Sequence, residues 1–234
     1  MSGQVIKEQA APVAPLQRKM ILSESSPFML QEAYKTLRTN LLFALRGEGC
    51  KRFCITSSMP GEGKSITILN LAISIAQTGK RVLLIDADLR RPAINRLLVE
   101  KATPGLSNVL AGLTDENEVL RKEVRPNLDI IFSGDIPPNP AELLDSDRMK
   151  ELLDKLSRRY DYILVDTPPV NVVSDACVVA NLLDGVLLLA RQGRSRKESL
   201  KRAVNNLELA GVKLLGCVFN GVPHEVKTIY SYYD

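Results

Sequence analysis

The stretch "SSMPGEGKS", residues 57–65, decides the fold, because it joins two segments of different periodicity. Before it, "RFCITSS" (52–58) is a short β-branched and apolar run that reads as a strand. After it, the segment from Lys64 carries apolar residues at helical spacing. The junction ends in Gly63, Lys64 and Ser65, as a phosphate loop does, with Ser58 where the first glycine is usual. A glycine-containing turn lets backbone N–H groups approach phosphate, and the helix start favours negative charge. Lys64 can then reach the outer phosphates and Ser65 can bind Mg²⁺. Ser58, Met59, Pro60, Gly61, Glu62, Gly63, Lys64, Ser65 and Ile66 are therefore expected to bind nucleotide.

Outward from this junction, strand-like and helix-like segments alternate. "RVLLIDAD", "LDIIFSG", "YDYILVDTPP", "GVLLLAR" and "KLLGCVFNGV" read as strands, and helices are expected from Pro140, near Ser174–Leu183 and from about Ser195. The strands are apolar runs without alternation, as when helices cover both faces of a sheet. The expected fold is α/β: a P-loop NTPase with a doubly wound, mostly parallel sheet flanked by helices in a single domain. Residues 1–24 read as a flexible arm, 25–223 as the domain and 224–234 as a tyrosine-rich tail. The first helix is expected to start with Ser26 as N-cap and Pro27 at the first helical position.

Two acidic strand ends complete the site. "VLLIDADLR" places Asp86 and Asp88 two residues apart, on one face if the segment is extended. "ILVDTPP" places Asp166 at a strand end, where a carboxylate holds Mg²⁺ or its waters. In open α/β sheets such ends converge on the ligand crevice; capping a helix is the structural alternative for any one of them.

Composition excludes other classes. A net charge of +4 over 234 residues is too small to imply nucleic-acid binding without a basic stripe. Cys50, Cys54, Cys177 and Cys217 lack zinc spacing, and with His224 the only histidine there is no zinc set; free thiols suit a reducing cytosol. "SITILNLAISIAQTG" falls short of the ~20 apolar residues of a membrane span, and "MSGQVIKEQA" has no signal-peptide core. A cytoplasmic protein is expected.

With these residues in place, the chain resembles the bacterial tyrosine kinases of capsular and exopolysaccharide biosynthesis, in their stand-alone cytoplasmic form. The resemblance runs from Glu32 onward through "PGEGKS", "LLIDADLR", "ILVDTPP", "IPPNPAELL" and a terminal "TIYSYYD". The MinD and ParA switch ATPases look similar through the first three motifs, but carry a lysine near the start of the phosphate loop, where this chain has Met59. The resemblance implies ATP and Mg²⁺ as cofactors and in-line phosphoryl transfer, with Lys64, Asp86 and Asp88 catalytic and Ser65, Asp86 and Asp166 toward the metal. Either Asp86 or Asp88 would be the base. Asn220 resembles an adenine-contacting asparagine; a turn-forming role is the alternative.

Tyr230, Tyr232 and Tyr233 are implied to be autophosphorylation sites, modified between subunits. If the last strand is parallel to the first, the tail leaves on the phosphate side, and ten extended residues reach about 33–36 Å. A loose aromatic clasp on the domain is the structural alternative. Glu32, Lys35 and Arg38 form one stripe of the first helix and resemble a subunit-contact pattern, with lysine in place of the first arginine. A solvated charged face explains the stripe equally, and lysine in a bidentate slot weakens a ring. A ring, if formed, would by analogy hold about eight subunits. Arg194, Arg196 and Lys197 place positive charge at a helix start, either as an anion or partner contact or as a solvated face. Asn139, Pro140 and Glu142 read as a helix start without chemistry. The implied partners are a transmembrane activator of the chain-length-regulator type, which recruits the chain to the inner face of the membrane, and a cognate tyrosine phosphatase.

Overall fold

Continuous Val, Ile and Leu runs become the central strands, buried on both faces, and these set the architecture, whereas the last apolar run forms a partly exposed edge strand. The computed structural model describes residues 20–222. Its strands are β1 (Lys51–Ser57), β2 (Val82–Asp86), β3 (Leu120–Arg125), β4 (Leu128–Ile131), β5 (Tyr162–Asp166), β6 (Gly185–Arg191) and β7 (Leu214–Asn220). They form one sheet in the order β3-β4-β2-β5-β1-β6-β7. Every pairing is parallel except β3 with β4. The helices are α1 (Phe28–Ala44), α2 (Lys64–Ala76), α3 (Ile94–Leu98), α4 (Leu106–Leu110), α5 (Glu116–Val119), α6 (Pro140–Leu144), α7 (Asp147–Ser157), α8 (Asp175–Ala180) and α9 (Lys197–Leu209).

Alternate residues of each central strand feed the two cores. Leu83, Ile85 and Val165 pack with Leu153, Leu156 and Val179 on one face. Phe53, Ile55 and Leu84 pack with Ile68, Leu71 and Ile75 on the other. The register brings the carboxyl ends level: Asp166 lies opposite both Ile55 and Asp86, and Ser57 opposite Leu189. Because β7 runs parallel to β6, and β6 to β1, Asn220 ends on the phosphate-loop edge. A doubly wound, mostly parallel sheet in one domain is therefore the observed fold.

Several local expectations differ. Strand β3, "LRKEVR", is absent from the sequence reading; it is a charged edge strand whose basic side chains discourage pairing with another sheet. Helix α1 begins at Phe28 with Pro27 at the cap, since Leu30 and Gln31 N–H groups bond the Pro27 carbonyl. The Ser26 hydroxyl instead accepts from the Ser23 N–H, closing a turn ahead of the helix. Before that turn, Leu22 is buried, and its N–H donates to Asn70 Oδ1 at 2.8 Å while Asn70 Nδ2 donates to the Met20 carbonyl. Residues 20–22 are thus docked on α2, within the segment read as an arm. At α6, Asn139 caps without a side-chain bond to the helix backbone; its Nδ2 donates to Glu142 Oε2 at 2.7 Å. Helix α8 spans only Asp175–Ala180, and α9 starts at Lys197. The four cysteines are free thiols. No helix among the described residues is long and apolar enough to cross a membrane. Tyr230, Tyr232 and Tyr233, and the tail they belong to, lie outside the described residues.

Candidate nucleotide and phosphoryl-transfer site

The loop between β1 and α2 turns through two glycines in left-handed geometry, Gly61 at φ +78° and Gly63 at φ +103°. These angles favour glycine, and at Gly63 a Cβ would lie 2.4 Å from Asn220 Nδ2. Helix α2 starts at Lys64, which is 92% buried, so the ammonium is held at the loop and not in bulk solvent. Asn220 Nδ2 donates to the Glu62 carbonyl at 3.0 Å, fixing the end of β7 against the loop.

Glu62 behaves differently from the rest of the loop. Its carboxylate is buried and accepts from Ser58 N–H at 3.0 Å, Ser58 Oγ at 2.9 Å, Met59 N–H at 3.3 Å and Ser195 Oγ at 2.5 Å. The side chain is an internal brace. Its four donors compensate the cost of burying a carboxylate.

The carboxylates divide by their partners. Strand β2 ends at Asp86, so Asp88 lies past the extended segment and the two-residue period does not govern it. The Asp88 N–H folds back on Asp86 Oδ1 at 3.2 Å, and the Ile94 N–H donates to Asp86 Oδ2 at 3.2 Å. Both Asp86 oxygens therefore organise the loop between β2 and α3. Asp88 accepts from Arg91 N–H through Oδ1 and retains slight exposure. Burial, with the Asp166 and Asp88 charges, pushes the Asp86 carboxyl well above the usual range, against the bonds from Ile94 and Asp88.

Asp166 is fully buried, and neither carboxylate oxygen has a hydrogen-bond partner among the described residues. Burial pushes it up to about 7; the Lys64 ammonium and the Ser65 hydroxyl oppose the rise and Asp88 adds to it. A buried carboxylate left without donors is a position for a cation or its water shell. Among the described residues no three His, Cys, Asp or Glu side chains close on a metal-sized point. Mg²⁺ is commonly held by one or two protein ligands, with substrate phosphates and waters supplying the rest.

Two supports were not legible beforehand. Arg90, two residues past Asp88, forms a bidentate pair with the fully buried Asp175 at the start of α8, at 2.8 and 3.1 Å. The segment after Asp166 is tied to β1 by Thr56 Oγ1 to the Pro168 carbonyl at 2.8 Å, Thr167 Oγ1 to the Ile55 carbonyl at 2.8 Å and Val170 N–H to the Ser57 carbonyl. Of the charges flagged near α9, Arg194 reaches the site and donates to the Gly61 carbonyl at 3.2 Å, as does Arg191, which the sequence reading passed over. Glu32 and Lys35 pair with each other at 2.7 Å, and Arg38 bonds Ser74 of α2.

Comparisons with known proteins agree with this geometry. Residues 50–190 match the family described as AAA domain. The chain is 41% identical over 218 residues to tyrosine-protein kinase YwqD of Bacillus subtilis, covering 93% of this chain and 92% of that protein. The solved kinase domain of the Escherichia coli tyrosine kinase ETK superposes with a TM-score of 0.80 at 38% identity, over 89% of this chain and 85% of that one. A MinD structure complexed with Mg-ADP from Pyrococcus horikoshii superposes with a TM-score of 0.62 at 23% identity, over 73% of this chain and 70% of that one, a likeness of fold alone. The nearer likeness is to the kinases in sequence, coverage and superposition together. The chain belongs to the bacterial tyrosine-protein kinases built on the P-loop fold.

Proposed function

We propose that the protein transfers the γ-phosphoryl group of ATP to its own tail tyrosines Tyr230, Tyr232 and Tyr233, between subunits, and so regulates capsular or exopolysaccharide synthesis and export. The observation that carries this reading is the Asn220–Glu62 contact. The chain passes the phosphate loop there, and Tyr230 follows ten residues later, within about 33–36 Å of extended reach.

In the proposed reaction the tyrosine oxygen attacks the γ-phosphorus, the bond to the β–γ bridging oxygen breaks and ADP leaves. The phenolic proton passes to Asp88, which keeps an oxygen unengaged by the backbone, whereas Asp86 spends both. Lys64 opposes the charge that develops on the phosphoryl oxygens. When bound, Mg²⁺ supplies charge neutralisation across the outer phosphates, and Asp166 with Ser65 is the set that would hold it. One N–H of the Asn220 amide bonds the Glu62 carbonyl, which orients the side chain, and its oxygen is the atom that can accept from the adenine amino group.

The proposed partners are further copies of the chain, a membrane-spanning activator that recruits it to the inner face of the membrane, and a tyrosine phosphatase. Glu32 and Lys35 remain exposed for a subunit contact, while Arg38 would use the guanidinium N–H groups not bonded to Ser74.

Mixing tests the transfer between subunits. A Lys64→Met chain with an intact tail is incubated with Mg-ATP and a chain carrying Tyr230→Phe, Tyr232→Phe and Tyr233→Phe. Phosphotyrosine on the Lys64→Met tail is expected; its absence, while the wild type modifies itself, would show transfer within one chain.

A further inference from the structure

We propose that Arg191 and Arg194 form an anion subsite for the phosphate chain of the bound nucleotide, held in register with the phosphate loop by the Glu62–Ser195 hydrogen bond. This rests on the nucleotide reading of the loop.

The argument begins with charge. From Ser57 to Gly63 the only charged side chain is Glu62, which is negative. The phosphate chain of a nucleoside di- or triphosphate concentrates several negative charges, and Lys64 is the single cation within residues 57–65. Two further cations that touch the loop come from the turn between β6 and α9. Arg191 Nη1 and Arg194 Nη1 both donate to the Gly61 carbonyl at 3.2 Å. The Arg194 guanidinium lies over Gly61, 3.1 Å from the place a Cβ would take, so the absence of a side chain there admits it. Neither arginine pairs with a carboxylate among the described residues. Each has N–H groups to spare beside a loop shaped for phosphate.

The turn is also fixed in place. Ser195 Oγ donates to Glu62 Oε1 at 2.5 Å and accepts the Arg191 N–H at 2.7 Å. One hydroxyl thus joins the brace inside the phosphate loop to the backbone of the turn that carries both arginines. On the far side, Gly221 packs against the Arg191 side chain, where a Cβ would meet Cγ at 3.4 Å. Arg191 is thereby confined between the end of β7 and the loop. Two convergent guanidinium groups, an internal latch and a neighbouring phosphate loop constitute a built subsite, and Arg194 is its more exposed and adjustable half.

The test is Mg-ADP affinity of the full chain, by titration calorimetry at low and at high salt, for wild type, Lys64→Met, Arg191→Gln/Arg194→Gln, Arg194→Lys and Ser195→Ala. Expected for the double variant are an affinity loss of about tenfold at low salt, a flatter salt dependence and an unchanged melting temperature without nucleotide. Arg194→Lys should keep most of the affinity, and Ser195→Ala should lose about threefold with wild-type salt dependence, since it displaces the charges without removing them. Binding by the double variant within about twofold of wild type, with wild-type salt dependence, overturns the proposal. A lower melting temperature with unchanged salt dependence also overturns it, because the arginines would then be structural. If wild type itself binds no Mg-ADP, the nucleotide reading fails first and takes the subsite with it; wild-type binding lost in Lys64→Met isolates the subsite as the quantity under test.

Discussion

Removing Arg90 should reveal how strongly the Asp88 loop depends on a single ion pair. Asp175 is fully buried at the first residue of α8, and Arg90, with 39% side-chain exposure, supplies two hydrogen bonds at 2.8 and 3.1 Å. The Asp175 carboxylate beside it holds the guanidinium proton above its ordinary range. Arg90→Ala leaves a buried carboxylate without its partner, a class of change that costs about 3–5 kcal/mol. The start of α8 offers partial compensation through its N–H groups, and the carboxyl can take up a proton, so the lower end, about 3 kcal/mol, is expected. Asp175→Asn removes the charge but keeps the shape, and half-exposed Arg90 can turn to solvent; about 1–2 kcal/mol is expected. The double variant Arg90→Ala/Asp175→Asn should then be more stable than Arg90→Ala alone, since no buried charge remains. Urea unfolding of the four proteins gives the cycle directly. If Arg90→Ala loses less than about 1 kcal/mol, or the double variant is the least stable, the pair does not carry the role assigned to it.

Two other outcomes follow from the carboxylates. Burial pushes the Asp166 carboxyl up to about 7 from an ordinary 3.8, so the folded state should keep a proton that the unfolded state releases. Stability should therefore fall as pH rises from about 4 to about 7, by an upper bound of about 4 kcal/mol from this group, and level off above. Asp166→Asn should flatten that slope and gain on wild type toward pH ~8 in metal-free thermal melts; parallel curves would refute the buried, unpartnered carboxylate. Asp88→Asn should lower kcat by about 10²–10⁴ with little change in stability, whereas Asp86→Asn should also shift the melting temperature, because Asp86 bonds the Asp88 and Ile94 N–H groups. Equal melting temperatures for the two variants would contradict that division.

How much of this was written in the sequence depends on the range of the interaction. The β1–loop–α2 unit was legible because its cues are contiguous: an apolar run, glycines at the turn and a helical period that starts at Lys64. Strand β3 was not, since "LRKEVR" is charged and edge-like and gains its geometry only from pairing with β4. The Asp86–Asp88 spacing does not by itself set their geometry, because the strand ends at Asp86 and the loop beyond it places Asp88. Arg90–Asp175 and Ser195–Glu62 join residues 85 and 133 positions apart, and no local pattern marks such pairs. Glu62 belongs to the phosphate loop by position, and its buried carboxylate bonds Ser58 and Ser195, the latter a contact that position alone does not mark.

The central claim is tested most directly by intact mass and peptide mapping after incubation with Mg-ATP, with and without the cytoplasmic tail of the candidate activator, beside a Lys64→Met control. Phosphate on Tyr230, Tyr232 or Tyr233 that vanishes in the control is the predicted result. ATP turnover without phosphotyrosine, with a verified activator present, would contradict the account.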